Sequence, residues 1–426
     1  MNILSGVNSS ILLDVGGSYI KSAVIRAHSS KIENVLRFQT PAFIDQNSLL
    51  KVIPTDTFLD IIEKAISAQK AFSIDANRIF TSGQMGGFVK QHNDSFELIS
   101  WQDKRSCSPE NRFKMPNLKT YLGASNSFKE TGSELREGLP LVAMALEENA
   151  PIRNENSMPF RSIISFVTSY LTGFKSTEMH VTDAASSGFF NLRYQKWDTE
   201  LCALVNSSVR FPVVSSEIRR IGYSAKFELE VYSGVGDQQA SLLGAGLSDQ
   251  NIVVNIGTGG QVAGLITELE FSNSFQVRPY FHGKRVRTIT HLPSGRALTA
   301  FARYCLDKDI LNDSDYLEFE KLAGRSISDY QLNLEDFEIA LRNVRESEFR
   351  IDYEVVAYSF FSALVDTYAN ALTKIHLPGQ LLFAGGVGQR VKLISELLAK
   401  KIRRPYSISS SEETTLEGLS VIAKWF

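Results

Sequence analysis

ILLDVGGSYIKSAVI, residues 11–25, carries the pattern that decides the fold. An apolar run (Ile11-Leu12-Leu13) ends in Asp14, a glycine pair (Gly16-Gly17) follows, and a second β-prone run covers Lys21-Ser22-Ala23-Val24-Ile25. Two short runs about a glycine turn read as a hairpin. The pattern returns at 251–266, NIVVNIGTGGQVAGLI, where Gly257-Thr258-Gly259-Gly260 separates two apolar strands. Aligning Gly16 with Gly257 sets Asp14 over Asn255, which suggests an internal duplication of one hairpin.

Outward from these hairpins, helix and strand signals mix. FLDIIEKAISAQK (58–70) has apolar residues at 58, 59, 61, 62, 65 and 66, which is helical spacing, and residues 78–84 read as a strand running into a loop. Residues 137–148 and 160–173 read equally as helix or irregular chain. Helices are expected over 334–349 and 354–375, then a strand-plus-glycine unit at 381–388. Residues 391–404 read as a helix whose cationic last turn (Lys400, Lys401, Arg403, Arg404) complements the helix dipole and stops at Pro405. This mixture predicts an α/β class. A chain of 426 residues predicts two domains at roughly 100–200 residues each, with the boundary near residue 246.

Hydrophobic residues make up 43% and charged residues 22%, the balance of a globular protein rather than a fibrous or broadly disordered one. A formal net charge of −2 gives no global footprint for nucleic acid. Cys107, Cys202 and Cys305 form no CxxC pair, which excludes a disulfide framework and thiolate zinc sites. The histidines show no ligand spacing. The N-terminal residues lack a basic, apolar leader and no run is long enough to span a bilayer, so a cytoplasmic chain with no membrane partner is expected.

The opening loop suits anion binding. Gly16 and Gly17 let backbone amides converge, Ser18 adds a hydroxyl, Lys21 a positive charge, and Asp14 is placed to hold a hydrated divalent cation. Alone, it reads as well as an ordinary hairpin turn. The 257–260 loop repeats the offer, and two such turns in different halves fit one nucleotide. The turn Ala384-Gly385-Gly386-Val387-Gly388 fits a dinucleotide fingerprint badly, because Val391 stands where its third glycine belongs; close backbone approach to a flat ring, or a packed helix start, both remain. In GVGDQQASLLGAG (234–246), Ala240, Leu243 and Gly244 recur at helical spacing after Asp237. A carboxylate at a helix start is held ionised, ready either to cap the helix or to accept a proton from a substrate hydroxyl.

In this order the segments resemble the FGGY carbohydrate kinases of the actin-like ATPase superfamily. DVGGSYIK (14–21) and NIGTGG (255–260) are similar to the two phosphate loops, GVGDQQASLLGAG to the segment of the catalytic aspartate, and AGGVG (384–388) to the adenosine turn, with Glu413 and Gly418 near the C-terminal Glu…Gly pattern. SGQMGG (82–87), SWQDKRS (100–106) and TDAASSGFFNLRYQKWD (182–198) follow the sugar-domain pattern. The resemblance implies two actin-like (ribonuclease H-like) α/β domains with an interdomain cleft. Residues 1–246 would be the sugar-binding domain with the first phosphate loop and catalytic aspartate, and 247–426 the nucleotide-binding domain.

It implies ATP and Mg2+ as cofactors and a ketose acceptor of sedoheptulose or pentulose type, with nucleic acid not a partner and homodimerisation left open. Asp237 would be the base and Asp14 the magnesium organiser. Gly16, Gly17, Ser18, Lys21, Gly257, Thr258 and Gly259 would surround the phosphates, and Gly385 and Gly386 would floor the adenine. Gln84, Met85, Trp101, Asp103, Arg105 and Gln238 would face the sugar. Three departures stand out: Gly17 replaces a usual Thr, Gly259 a common Ser, and Gly86 the His of xylulose kinases. They motivate an alternative, a sugar- or nucleotide-binding regulator of the same fold that has lost turnover. An oxidoreductase would need a fingerprint early in a βαβ unit, and none is there.

Overall fold

The computed structural model describes residues 9–45, 49–92, 95–146, 158–205, 209–257, 259–325, 327–347 and 351–426. Thr258, a predicted phosphate contact, lies outside the described residues. The chain divides into two compact units, one of residues 1–244, 267–285 and 413–426, the other of 245–266 and 286–412. Segments 267–285 and 413–426, which the sequence reading placed in the C-terminal half, thus pack with the first unit.

The first unit is built on β1 (Ser10–Val15), β2 (Tyr19–Ile25), β3 (Glu33–Gln39), α1 (Thr55–Phe72), β4 (Arg78–Gly83), α2 (Ile163–Leu171), β5 (Arg220–Ser224), β6 (Leu229–Tyr232), β7 (Val235–Gly236) and α3 (Asp237–Ala245). Its sheet runs β5-β6-β4-β1-β2-β3, with β7 also paired to β4. Strands β1 and β2 form the expected hairpin, and β1, β6 and β7 all run parallel to β4. A central strand covered on both faces must be apolar at every position rather than at alternate ones, which explains the unbroken Ile11-Leu12-Leu13. Ile11, Leu13 and Val15 share one core with Phe58, Ile62, Ala65 and Ile66 of α1 and with Phe166 and Val167 of α2. The C-terminal helix, Thr414–Ala423, also packs on β1, β2 and β4. Each fully buried Ile or Phe contributes about 1.5–3 kcal/mol.

The second unit contains β8 (Asn251–Ile256), β9 (Gly260–Ile266), β10 (Arg285–Leu292), α4 (Gly295–Leu306), α5 (Asp313–Ala323), α6 (Tyr353–Ile375), β11 (Gln380–Ala384), α7 (Gly385–Arg390), α8 (Lys392–Ile402) and β12 (Tyr406–Ile408). These strands run β10-β9-β8-β11-β12. The duplication extends well beyond a hairpin. In the first unit Asp14 pairs with Lys21 across the turn and with Ser82 on a parallel strand; in the second, Asn255 pairs with Gln261 and with Ala384 in the same two relations.

Helix ends follow local chemistry. The 334–349 segment is helical only over Phe337–Arg345, because the Asp336 side chain accepts from the Glu338 and Ile339 amides and sets the start there. The 160–173 segment is helical from Ile163, where Ser162 and Ser165 form a capping box, and 137–148 over Pro140–Leu146. The helix expected over 391–404 runs Lys392–Ile402: Val391 separates it from α7, its last turn carries Lys400 and Lys401, and Arg403 after it is left-handed (φ 54°). Pro405 disfavours helical geometry in the residue before it. Within the first unit, α3 crosses the C-terminal helix at Gly244 and Gly418. A Cβ on Gly244 would collide with the Thr414 carbonyl, and one on Gly418 with that of Ala240.

Candidate active site

Parallel strands bring their carboxyl ends together, and ligands bind there in open α/β sheets. Asp14 lies beside Ser82 in register, Ser82 lies beside Val235, and Asp237 follows β7 as the first residue of α3. Ser82 Oγ donates to Asp14 Oδ1 at 3.1 Å. Burial raises the Asp14 carboxyl to about 6 against the pull of Lys21, and burial together with the nearby Asp14 charge raises Asp237 to about 7. The Gln238 amide donates to Asp237 Oδ1 at 2.8 Å, the helix-start interaction the sequence suggested.

A buried chain of hydrogen bonds fixes the residue before Asp237. The Gly236 amide donates to Thr182 Oγ1 at 3.1 Å, and Thr182 Oγ1 lies 2.8 Å from His180 Nδ1. His180 Nε2 lies 3.2 Å from the Ser216 carbonyl, an acceptor only, so Nε2 carries the proton and Nδ1 accepts from the threonine hydroxyl. Burial pushes the imidazole down to about 4, so it is neutral at physiological pH. No sequence motif flagged His180 as more than a lone histidine.

The β1–β2 loop is tied down through its carbonyls. Thr40 donates from Oγ1 to the Gly16 oxygen at 2.9 Å and from its amide to the Ser18 oxygen at 3.0 Å. Gly17 and Ser18 are exposed. A Cβ on Gly16 would come within 2.7 Å of the Tyr19 carbonyl, so glycine is required there. At Gly17 a Cβ would meet Trp101 Nε1 at 3.5 Å, an ordinary contact, and at Gly259 it would meet nothing. The two departures from the usual Thr and Ser therefore leave room for those side chains. Lys21 Nζ forms an ion pair with Glu413 Oε2 at 2.8 Å, and Arg37 reaches the other carboxylate oxygen.

Gln84 is 2% exposed, yet neither its amide oxygen nor its nitrogen has a partner among the described residues. An unsatisfied buried amide costs stability and marks a place where a ligand completes the bonding. Its oxygen and the Trp101 indole both lie beside Gly17. Met85 packs its sulfur against Gly236, next to Asp237. Asp103 and Arg105 behave differently. Asp103 accepts from the Arg105 amide and guanidinium at 2.8–3.2 Å and from the Lys51 amide at 2.7 Å, while Arg105 also reaches Glu97 at 3.2 Å. The two residues are buried and bonded to each other and to their surroundings.

The second unit holds a cavity of about 990 Å³ lined by Gly257, Arg296, Thr299, Tyr316, Gly386 and Val387, among others. Gly386 would meet nothing with a Cβ, whereas Gly385 (φ +79°) turns the chain from β11 into α7 where a side chain would strike Asn255 and Ile256. Glu413 and Gly418, read from sequence with the adenosine turn, belong to the first unit. Among the described residues no cluster of three or more His, Cys, Asp or Glu side chains forms a metal cage, and no helix is long and apolar enough to cross a membrane.

Residues 10–244 match the model of the FGGY family of carbohydrate kinases, N-terminal domain. A glycerol kinase from Marinomonas sp. (strain MWYL1) is 30% identical over 209 residues, 45% of this chain and 41% of that protein. The chain thus matches only about half the length of such curated relatives. Among solved structures, a xylulose kinase from Rhodospirillum rubrum superposes with a TM-score of 0.82 at 16% identity, covering 98% of this chain and 89% of that one. A gluconate kinase from Lactobacillus acidophilus superposes at 0.80 with 15% identity and the same coverage. These likenesses establish the two-domain actin-like fold.

Proposed function

Because the chain belongs to the FGGY family of carbohydrate kinases, we propose that it transfers the γ-phosphoryl group of ATP to a hydroxyl of a polyhydroxylated acceptor, with Asp237 taking the hydroxyl proton. The observation that carries this reading is buried Asp14 and half-buried Asp237 at converging strand ends, with the unsatisfied Gln84 amide in the same unit. The acceptor oxygen bonds to the γ-phosphorus, the bond to ADP breaks, and the proton passes to the Asp237 carboxylate. A base whose pKa is near 7 suits proton transfer at neutral pH.

The residues present fit both cofactors. Asp14 is a single buried carboxylate, and magnesium is held by one or two carboxylates together with phosphate oxygens and water. When bound, the ion neutralises charge on the phosphates. Exposed Gly17 and Ser18 in the first unit are the phosphate contacts proposed there, and Gly257 and Gly259 those proposed in the second. The cavity beside Gly386 has the volume of a small-molecule site and would take the adenosine. Lys21 serves through its field on Asp14 as well as through any phosphate contact.

On the acceptor side, Gln84 supplies one acceptor and two donors for hydroxyls, and Trp101 a flat apolar face. Gln238, beside Asp237, completes the polar edge. Two polar members of the SWQDKRS stretch, Asp103 and Arg105, are bonded to each other within the protein. Gln84 and Trp101 fit any polyhydroxylated carbon chain, of which sedoheptulose and the pentuloses are members. ADP release with MgATP over ketoses, aldoses, polyols and sugar acids tests the reading. Turnover of one acceptor class supports it, and no ADP or phosphorylated product with any acceptor overturns it.

A further inference from the structure

Two arginines that no motif flagged converge on the acceptor end of the first unit. Arg136 places Nη2 directly over Gly86, where a Cβ would collide with it, and its Nη1 donates to the Trp101 carbonyl at 3.2 Å. Arg278 is 9% exposed; its Nε and Nη2 donate to Gln276 Oε1 at 3.2 and 2.7 Å, and its Nη1 to the Ala185 carbonyl at 3.2 Å. The next residue, Ser186, accepts from the Gly86 amide at 3.2 Å, so Arg136 contacts the 84–86 segment directly and Arg278 meets the residue beside its partner.

The acceptors these arginines use are neutral. Glu134 acts on both electrostatically, but its carboxylate accepts from Gln276 Nε2 at 2.7 Å, and Glu137, near Arg136, is bonded to Lys119. Among the described residues, neither guanidinium has a carboxylate within ion-pair distance. Burial, then the Arg136 charge, pulls Arg278 down to about 10, and burial also lowers Arg136. Buried Arg278 and half-buried Arg136 are neighbouring like charges that no carboxylate contacts directly, so an anion joining them is favoured.

We propose that the acceptor carries an oxyanion, which Arg136 and Arg278 bind while Gln84 and Trp101 hold its hydroxylated chain. This rests on the kinase reading above and deepens it, because it narrows the acceptor to a polyhydroxy acid. The shared chemistry is a carboxylate or a phosphate monoester on a sugar skeleton. Arginine recognises both through paired N–H donors. Gly86 is part of the design: any side chain there would displace the Arg136 guanidinium.

Calorimetric binding to the wild-type protein, without nucleotide, tests the proposal on matched ligands: gluconate, gluconamide, glucitol, fructose and glucose 6-phosphate. Gluconate is expected to bind at least about 30-fold more tightly than gluconamide and glucitol, the scale of charge-assisted hydrogen bonds. Glucose 6-phosphate binding best would assign the oxyanion to a phosphate. Arg278→Met and Arg136→Met should each remove the preference for the acid over its amide, and Arg278→Lys should keep part of it. Equal binding of the acid and its neutral partners, or tighter binding of fructose, overturns the proposal. Turnover of MgATP with neutral acceptors alone would overturn it while leaving the kinase reading intact. Acid-selective binding with no turnover on any acceptor would do the reverse.

Discussion

Lys21 and Glu413 stand at opposite ends of the chain, and their side chains meet at 2.8 Å within the first unit. Glu413 also accepts from Arg37, and these bonds outweigh its burial and hold its carboxyl below the usual range. Its negative charge raises Asp14, while Lys21 lowers it. The C-terminal segment thus helps set the charge around the β1–β2 loop.

Glu413→Gln should therefore lower the Asp14 pKa, because one raising charge is lost and Lys21 is no longer drawn away. It should also destabilise the fold by about 1–3 kcal/mol, since two cations lose their shared acceptor. Carboxylate titration by NMR and urea unfolding measure the two effects. An Asp14 pKa that stays put or rises would contradict this electrostatic assignment.

The raised carboxyls at Asp237 and Asp14 make activity and stability respond oppositely to pH. With Asp237 as the proposed base, turnover requires it ionised, so kcat should climb with pH and level off above about 7. For stability the sign is reversed: a carboxyl raised in the folded state binds more protons there than when unfolded, so stability is full below the unfolded pKa near 4 and is lost as pH rises through the folded value. Asp237→Asn removes that loss. Its melting temperature should exceed that of the wild type at about pH 8 and converge with it near pH 4. A variant less stable than wild type at both pH values would show that the carboxylate holds the fold together.

Arg105 distinguishes a buried support from a sugar contact. Arg105→Met leaves Asp103 and Glu97 facing an apolar chain, and breaking a buried pair costs about 3–5 kcal/mol. The melting temperature should fall steeply. A stable variant with only a raised acceptor KM would place Arg105 in the binding site.

Thr182 positions rather than reacts. Thr182→Val keeps the shape but leaves the Gly236 amide and His180 Nδ1 without their shared hydroxyl. A loss of about 10-fold in kcat is expected from misplacing the base by a fraction of an ångström, with acceptor KM little changed. Thr182→Ser should restore most of it. A variant that changes only stability would make the chain purely structural.

How much of this was legible depended on whether the determinant was local. Asp14, the glycine turns and the helix after Asp237 announce themselves through apolar runs and turn residues within a few positions, and the duplicated hairpins could be matched by eye. The third strand of the repeat could not, because β4 and β11 lie far from their hairpins and only backbone register relates Ser82 to Ala384. Sequence shows the residue types of Asp103 and Arg105 but not that their atoms meet each other, Lys51 and Glu97. Arg136 and Arg278, the proposed oxyanion contacts, each sit in an unremarkable stretch, and only folding sets Arg136 against Gly86 and Arg278 against Ala185. Thr182 and His180 gain meaning only from the Gly236 amide above them.

The most direct test of the central claim is MgATP-dependent ADP release, with product analysis, across ketoses, aldoses, polyols and sugar acids for the wild type and Asp237→Asn in parallel. At least one acceptor should be phosphorylated by the wild type, and the variant should lose about 100- to 10,000-fold in kcat while remaining folded. Full turnover by Asp237→Asn would contradict the account.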